Sequence, residues 1–147
     1  MAVTRSELRE KVMTILYQIS LYQNNKIEYD VEADIKENLE IDNEFVKEMV
    51  YGVVTHKDEL DSLADDHLDN WTIKRLDSMG QEILRMGIYE MKYTDTPDLV
   101  VINEAVELAK KYSDDNVRKM INAVLDKLIN DFPITGIGLI LIMAPLP

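Results

Sequence analysis

The sequence predicts an all-α domain. Apolar residues recur at spacings of three and four along most of the chain, and Ser, Thr, Asp and Asn stand where helices would start. No strand-length alternation flanked by hairpin turns occurs before residue 131. At 147 residues, 46% apolar and 30% charged, the chain suits one globular domain with a real core. The spacing divides residues 1–131 into an N-terminal half of about 1–70 and a C-terminal half of about 71–131, meeting near Trp71; no internal sequence repeat is evident.

Each element has its own signal. Thr4 followed by Glu7 is an N-cap with a capping box, and Leu8, Val12, Ile15, Leu16 and Ile19 then recur at helical spacing over about five turns. Asn24 and Asn25 stop this helix. A short acidic segment from Val31 to Leu39 forms a second, and Asp42 caps a third that begins near Asn43. Phe45, Val46, Met49, Val50 and Val53 give its apolar stripe, which Leu60, Leu63, Ala64, His67, Leu68 and Trp71 continue in register. This spacing predicts one helix running to about His67. Thr72 and Ser78 then re-set the register, and Ile83, Leu84, Gly87, Ile88 and Met91 mark the inner face of the next helix. Thr96, Pro97 and Asp98 supply a cap, a first-turn proline and a first-turn acid for a helix carrying Val101, Ile102, Ala105, Val106, Leu108 and Ala109. Ser113, Asp114 and Asp115 repeat that logic ahead of Val117, Met120, Ile121, Val124, Leu125 and Leu128. Residues 132–147 differ in kind: they carry no charge, and their apolar run is shorter than the roughly 20 residues that span a bilayer. Composition reads them as an atypical apolar extension, or else as a partner-binding or self-associating strand.

The chemistry on offer is thin. With no cysteine there is no disulfide and no thiolate metal site, and the first residues lack the apolar core of a secretory signal, so a cytoplasmic protein with no membrane association is expected. His56 and His67 are eleven residues apart with no metal-binding spacing around them, and Glu104 and Glu107 form a surface pair with no third ligand in spacing. The five glycines build no phosphate loop, and no nucleophile, base and acid stand in a defensible order. These readings point away from an enzyme and imply no cofactor and no metal.

Charge gives the contrary signal. Twenty-eight acidic against 16 basic residues leave a net charge of −12, which repels nucleic acid on average and favours basic protein partners. A phosphate backbone, however, feels charges only within a Debye length of roughly 8–10 Å, so an acidic protein can carry one RNA-binding face. Arg5, Arg9 and Lys11 cluster on the first helix. Arg5 and Arg9 are four residues apart, read as opposite the Leu8, Val12 and Leu16 stripe, with Tyr17 one to two turns further on. Such a face can hold phosphates while the tyrosine stacks on an unpaired base. Glu7 and Glu10, interleaved with these cations, support the competing reading of surface ion pairs.

Six segments together carry a resemblance. They are Arg9-Glu-Lys-Val-Met-Thr-Ile-Leu-Tyr-Gln18; Gly52-Val53 with His56 and Leu60-Asp61; Trp71; Ile83-Leu-Arg-Met-Gly-Ile-Tyr-Glu90; Pro97 with Val101-Ile-Asn-Glu-Ala-Val-Glu-Leu-Ala-Lys-Lys-Tyr-Ser113; and Ile121-Asn-Ala-Val-Leu-Asp-Lys127. In order and spacing over about residues 4–130 they resemble the NusB family of transcription antitermination factors. The resemblance implies an all-α bundle of about seven helices in two subdomains. It also implies a protein that pairs with NusE, a small-subunit ribosomal protein, to bind the boxA element of nascent ribosomal RNA and to join the transcription elongation complex through other Nus factors. Either a monomer or a homodimer is compatible with it.

Carried over residue by residue, the family's basic motif falls on Arg5 and Arg9 with Lys11 nearby, and its helix-one aromatic on Tyr17. Arg85, Lys110, Lys119 and Asn122 complete the implied RNA-binding set. Arg85 also reads as a structural arginine bridging through Glu82 or Glu90. Trp71 and Tyr89 read as packing residues, and the NusE-facing surface is placed around residues 71–82. Ser6 stands where the family usually has a further arginine, and Met120 and Ala123 replace its usual phenylalanine and glycine. A helical module that binds NusE with weakened or lost RNA binding is the alternative. A detached accessory domain of an RNA methyltransferase is disfavoured, since no Gly-rich cofactor segment follows residue 130.

Overall fold

The computed structural model describes residues 3–39 and 43–132, and the expectations for Asp42 and for the tail beyond Phe132 lie outside them. The described residues form seven α-helices and no strand: α1 (Arg5–Asn24), α2 (Val31–Asn38), α3 (Glu44–Thr55), α4 (Lys57–His67), α5 (Ser78–Tyr93), α6 (Asp98–Tyr112) and α7 (Asp115–Asp131). A single 3₁₀ turn, Ile73–Arg75, precedes α5.

Most helix starts follow the side-chain chemistry of the sequence. Thr4 accepts a hydrogen bond from the Glu7 amide at 3.1 Å and Asp114 from that of Val117 at 2.8 Å, each satisfying an amide that the first turn leaves open. The third helix is capped by Asn43, whose side chain accepts from the Val46 amide. Asp77, not Ser78, caps α5 by accepting from the Gly80 amide, and Ser113 donates to the same carboxylate at 2.7 Å, tying the α6–α7 corner to the start of α5. Thr96 is not a cap: α6 begins after Pro97, which has no side-chain cap bond. At the end of α1, Lys26 adopts a left-handed conformation (φ 55°), and the Ile27 amide returns to the Tyr22 carbonyl at 2.8 Å.

The long third helix expected from the apolar spacing is two helices. His56 departs from helical geometry (φ −102°, ψ 14°) between α3 and α4. Its ring stacks on Tyr93 at 4.4 Å, and its Nδ1 lies 3.3 Å from Glu59. Periodicity does not see this break, because Val53 and Leu60 on either side of it are both fully buried.

α5 is the centre of the molecule and packs against α1, α3, α4, α6 and α7. Its expected inner face, Ile83, Leu84, Gly87, Ile88 and Met91, is buried, but so is every other residue from 82 to 91. Glu82, Arg85 and Glu90 are therefore charges placed inside the core. The stripes of the other helices close over α5 in one continuous core that includes Val12, Ile15, Val50, Leu60, Val101, Ile121 and Leu125. Tyr89 is buried against the backbone of Gly52, and Trp71 is half-buried with the Arg75 guanidinium 3.7 Å from its ring centroid.

Candidate nucleic-acid interface

Two of the expected RNA-facing arginines are inside. Arg9 is not opposite the apolar stripe of α1 but is buried with it, 4% exposed. Its Nε donates to Glu90 Oε1 at 3.0 Å and its Nη2 to Glu90 Oε2, while Nη1 lies 3.6 Å from Glu104. Arg85 is 3% exposed and donates to both carboxylate oxygens of Asp61 at 2.7 and 3.1 Å and to Glu82 at 2.7 Å. Ser20 donates to that same Glu82 oxygen at 2.6 Å, so the network joins α1, α4 and α5. A desolvated guanidinium demands such complete pairing. The structure corrects the surface placement of Arg9, which lies in the core. It places Arg85 there too, bridging through Asp61 and Glu82, the first of the two acids read for it, and not through Glu90.

The remaining positions are on or near the surface. Arg5, Lys11, Lys110, Lys119 and Asn122 are exposed, and Tyr17 is half-buried. Arg5 sets its guanidinium 4.2 Å from the Phe45 ring centroid. Lys110 reaches Glu107 at 3.3 Å in a pair open to water on both sides.

The first turns of α1 meet α6 from Glu104 to its end, and Lys110 and Lys111 lie at this junction. Ser6 donates to both carboxylate oxygens of Glu104 at 2.8 and 3.0 Å. Lys111 donates to Glu10 Oε1 at 2.7 Å, and the Tyr112 hydroxyl donates to the same oxygen. Between the helices runs an open groove of about 490 Å³ with Ser6, Glu10, Glu104, Glu107, Lys110 and Lys111 in its lining. Lys111, then Tyr112, hold the Glu10 carboxyl below the usual carboxylate range, with Lys11 adding attraction at longer reach. At the start of α7, Arg118 lowers the Asp115 carboxyl through a 3.1 Å hydrogen bond, with Lys119 and Lys110 contributing at longer range.

Lys111 and Tyr112 are the residues that sequence reasoning missed. Their local signal is weak, a second lysine and a tyrosine at a helix end. What singles them out is Glu10, about a hundred residues away in the chain, and no spacing rule reports that. The two histidines serve packing: His56 at the α3–α4 break, and His67 through Nε2 to Asp131 of α7 at 2.7 Å. Glu104 and Glu107, considered together as a cation pair, are engaged separately by Ser6 and Lys110. Among the described residues no helix is long and apolar enough to cross a membrane.

An all-α domain whose described residues form seven helices, with an open, lysine-lined groove between α1 and α6, defines the class to which the chain belongs. The chain belongs to the NusB family, whose model matches residues 6–130. It is 40% identical over 131 residues to the transcription antitermination protein NusB of Macrococcus caseolyticus, covering 88% of this chain and 98% of that one. It is 41% identical over 131 residues to NusB of Nitratiruptor sp., covering 87% and 93%. Among solved structures, NusB of T. maritima matches with a TM-score of 0.79 at 28% identity over 89% of this chain and 94% of that one. A structure of antitermination factors NusB and NusE in complex with double-stranded RNA matches with a TM-score of 0.72 at 28% identity, over 86% and 96%.

Proposed function

We propose that this protein is a transcription antitermination factor that binds boxA-type RNA of nascent ribosomal transcripts together with NusE, without a catalytic step of its own, and that it joins the elongation complex through other Nus factors. The observation that carries this reading is the open α1–α6 groove lined by Lys110 and Lys111, with the exposed Lys11 next in sequence to its Glu10, in a chain whose net charge is −12. The family likeness and the NusB–NusE–RNA complex among its structural neighbours support it. The contacting set under this reading is Arg5, Lys11, Tyr17, Lys110, Lys119 and Asn122, with Lys111 added. Phosphate contacts from these cations position an RNA strand, and a bound NusE adds its own surface and raises the effective concentration. The acidic remainder of the surface suits a basic ribosomal protein.

We read residues 1–131 as one domain whose halves, about 1–70 and 71–131, share the core around α5. The segment between α4 and α5, which holds only the 3₁₀ turn and a left-handed Asn70, supports a joint there.

A second reading is favoured by one observation: the burial of Arg9 and Arg85 leaves the basic face thinner than the sequence suggests. On that reading the chain binds NusE and has weak or no affinity for RNA. Titration of the full chain with labelled boxA RNA at low salt, with and without NusE, decides between them. The expected result is a ternary complex tighter than either binary one. A NusE complex indifferent to RNA establishes the second reading, and no association with either overturns both.

A further inference from the structure

We propose that Glu10 is an internal stand-in for an RNA phosphate, holding Lys111 and Tyr112 at the mouth of the α1–α6 groove until a backbone phosphate displaces its carboxylate. The inference rests on the reading of that groove as an RNA-binding surface and says how the surface is regulated.

The geometry distinguishes Glu10 from the other acids nearby. Glu90 is buried with Arg9, and Glu104 is fixed by two bonds from Ser6 with Arg9 behind it. Glu107 only meets Lys110, loosely, at 3.3 Å. Glu10 alone among the groove's acids collects both an ammonium and a phenol hydroxyl on one oxygen. Those two donors are what an RNA phosphate oxygen would accept from, since carboxylate and phosphate oxygens share the same acceptor chemistry.

Exposure makes the exchange feasible. The Lys111 side chain is 61% exposed and that of Glu10 29%, so the bond is open to water and weakly held. Glu10 stands on α1, anchored by the buried Arg9 next to it, whereas Lys111 and Tyr112 sit at the end of α6. A phosphate can therefore draw the two donors outward without disturbing the core. A lone anion gains little by replacing one carboxylate. A strand that also places phosphates on Lys11, Lys110 and Lys119 gains several contacts from one exchange, so Glu10 tunes the groove toward polyanions.

The test is fluorescence anisotropy of the full chain with a labelled single-stranded boxA oligonucleotide, with and without NusE, across a salt series. Glu10→Gln is expected to bind roughly three- to tenfold more tightly at low salt, with a salt slope steeper by about 0.7, the contribution of one added phosphate contact on a single strand. Combining Glu10→Gln with Lys111→Ala should return affinity to the unaltered level or below. Circular dichroism and thermal melting check the fold. Should Glu10→Gln melt early, Glu10→Asp keeps the charge but shortens the reach to Lys111, and it too should bind more tightly. Unchanged or weaker RNA binding by a folded Glu10 variant overturns the proposal. So does a gain that persists without Lys111, which would reflect bulk charge alone. If the unaltered chain binds no RNA even with NusE, the reading of the groove fails and the proposal falls with it.

Discussion

Arg9 on α1 and Glu90 on α5, 81 residues apart in sequence, form a buried two-point ion pair with side chains 4% and 3% exposed. Removing one partner leaves the other charged and desolvated. Arg9→Ala is expected to lower unfolding stability by about 3–5 kcal/mol in urea denaturation. Lysine should not rescue it, because an ammonium cannot reproduce the planar fork that engages both carboxylate oxygens. A loss below about 1 kcal/mol would show that Glu90 finds other partners. RNA binding by an Arg9 variant is therefore to be compared with its melting temperature, because loss of folding alone would weaken it.

Gly52 presents a steric prediction. A Cβ at this position would stand 2.1–2.3 Å from the Tyr89 ring, and that ring is itself stacked on Tyr93 with centroids 5.2 Å apart. Gly52→Ala must displace the tyrosine pair, and overpacking of this kind costs about 1–3 kcal/mol. Combining it with Tyr89→Leu should recover part of the loss. An unchanged melting temperature in Gly52→Ala would refute the close approach.

Asp34 gives a pH prediction. It is 5% exposed, and its Oδ2 is buried without a hydrogen-bond partner. Burial first, then Glu37 and Asp30, raise its pKa from the ordinary 3.8. The folded protein thus holds this proton more tightly than the unfolded chain does. Stability is lost as pH rises from the ordinary value through the raised one. Asp34→Asn should melt above the unaltered protein at pH 7, with the difference closing below about pH 3.8. A difference independent of pH would contradict this assignment.

Lys110 and Lys119 are exposed, so their replacement by alanine should leave stability within about 0.5 kcal/mol. Each change should weaken boxA RNA binding and reduce the salt slope by about 0.7 per lost phosphate contact. The effect should be similar across RNA sequences, because phosphate contacts carry no base information. Equal affinity and slope in the double variant would remove both residues from the interface.

The fold was legible where structure is locally encoded. Thr4 and Asp114 announce their helices because a cap is a contact over three residues, and the stripes of α1, α6 and α7 follow from a 3.6-residue period. The break at His56 was not legible, since the apolar register carries through it and its partner Tyr93 lies far along the chain. The same limit governs the site. Arg9 read as a surface charge because residue type suggests exposure, while the carboxylates that bury it belong to other helices. The structural role of Arg85 was half legible, since Glu82 lies one turn away but Asp61 lies on α4. Lys110, Lys119 and Asn122 lie on the surface as their polarity indicates, but the bond from Glu10 to Lys111 exists only after α1 and α6 meet.

The unbroken burial of residues 82–91 in α5 has a kinetic meaning as well. A helix walled in on every side has no partial opening that exposes its amides, so their hydrogen exchange with solvent should proceed only through global unfolding. The ends of α1 and α6, open to water at the groove, can fray and re-form many times within one such event. Occupation of the groove by a ligand should therefore slow exchange at those ends first, and the amides of α5 would respond only as far as the whole molecule is made more stable.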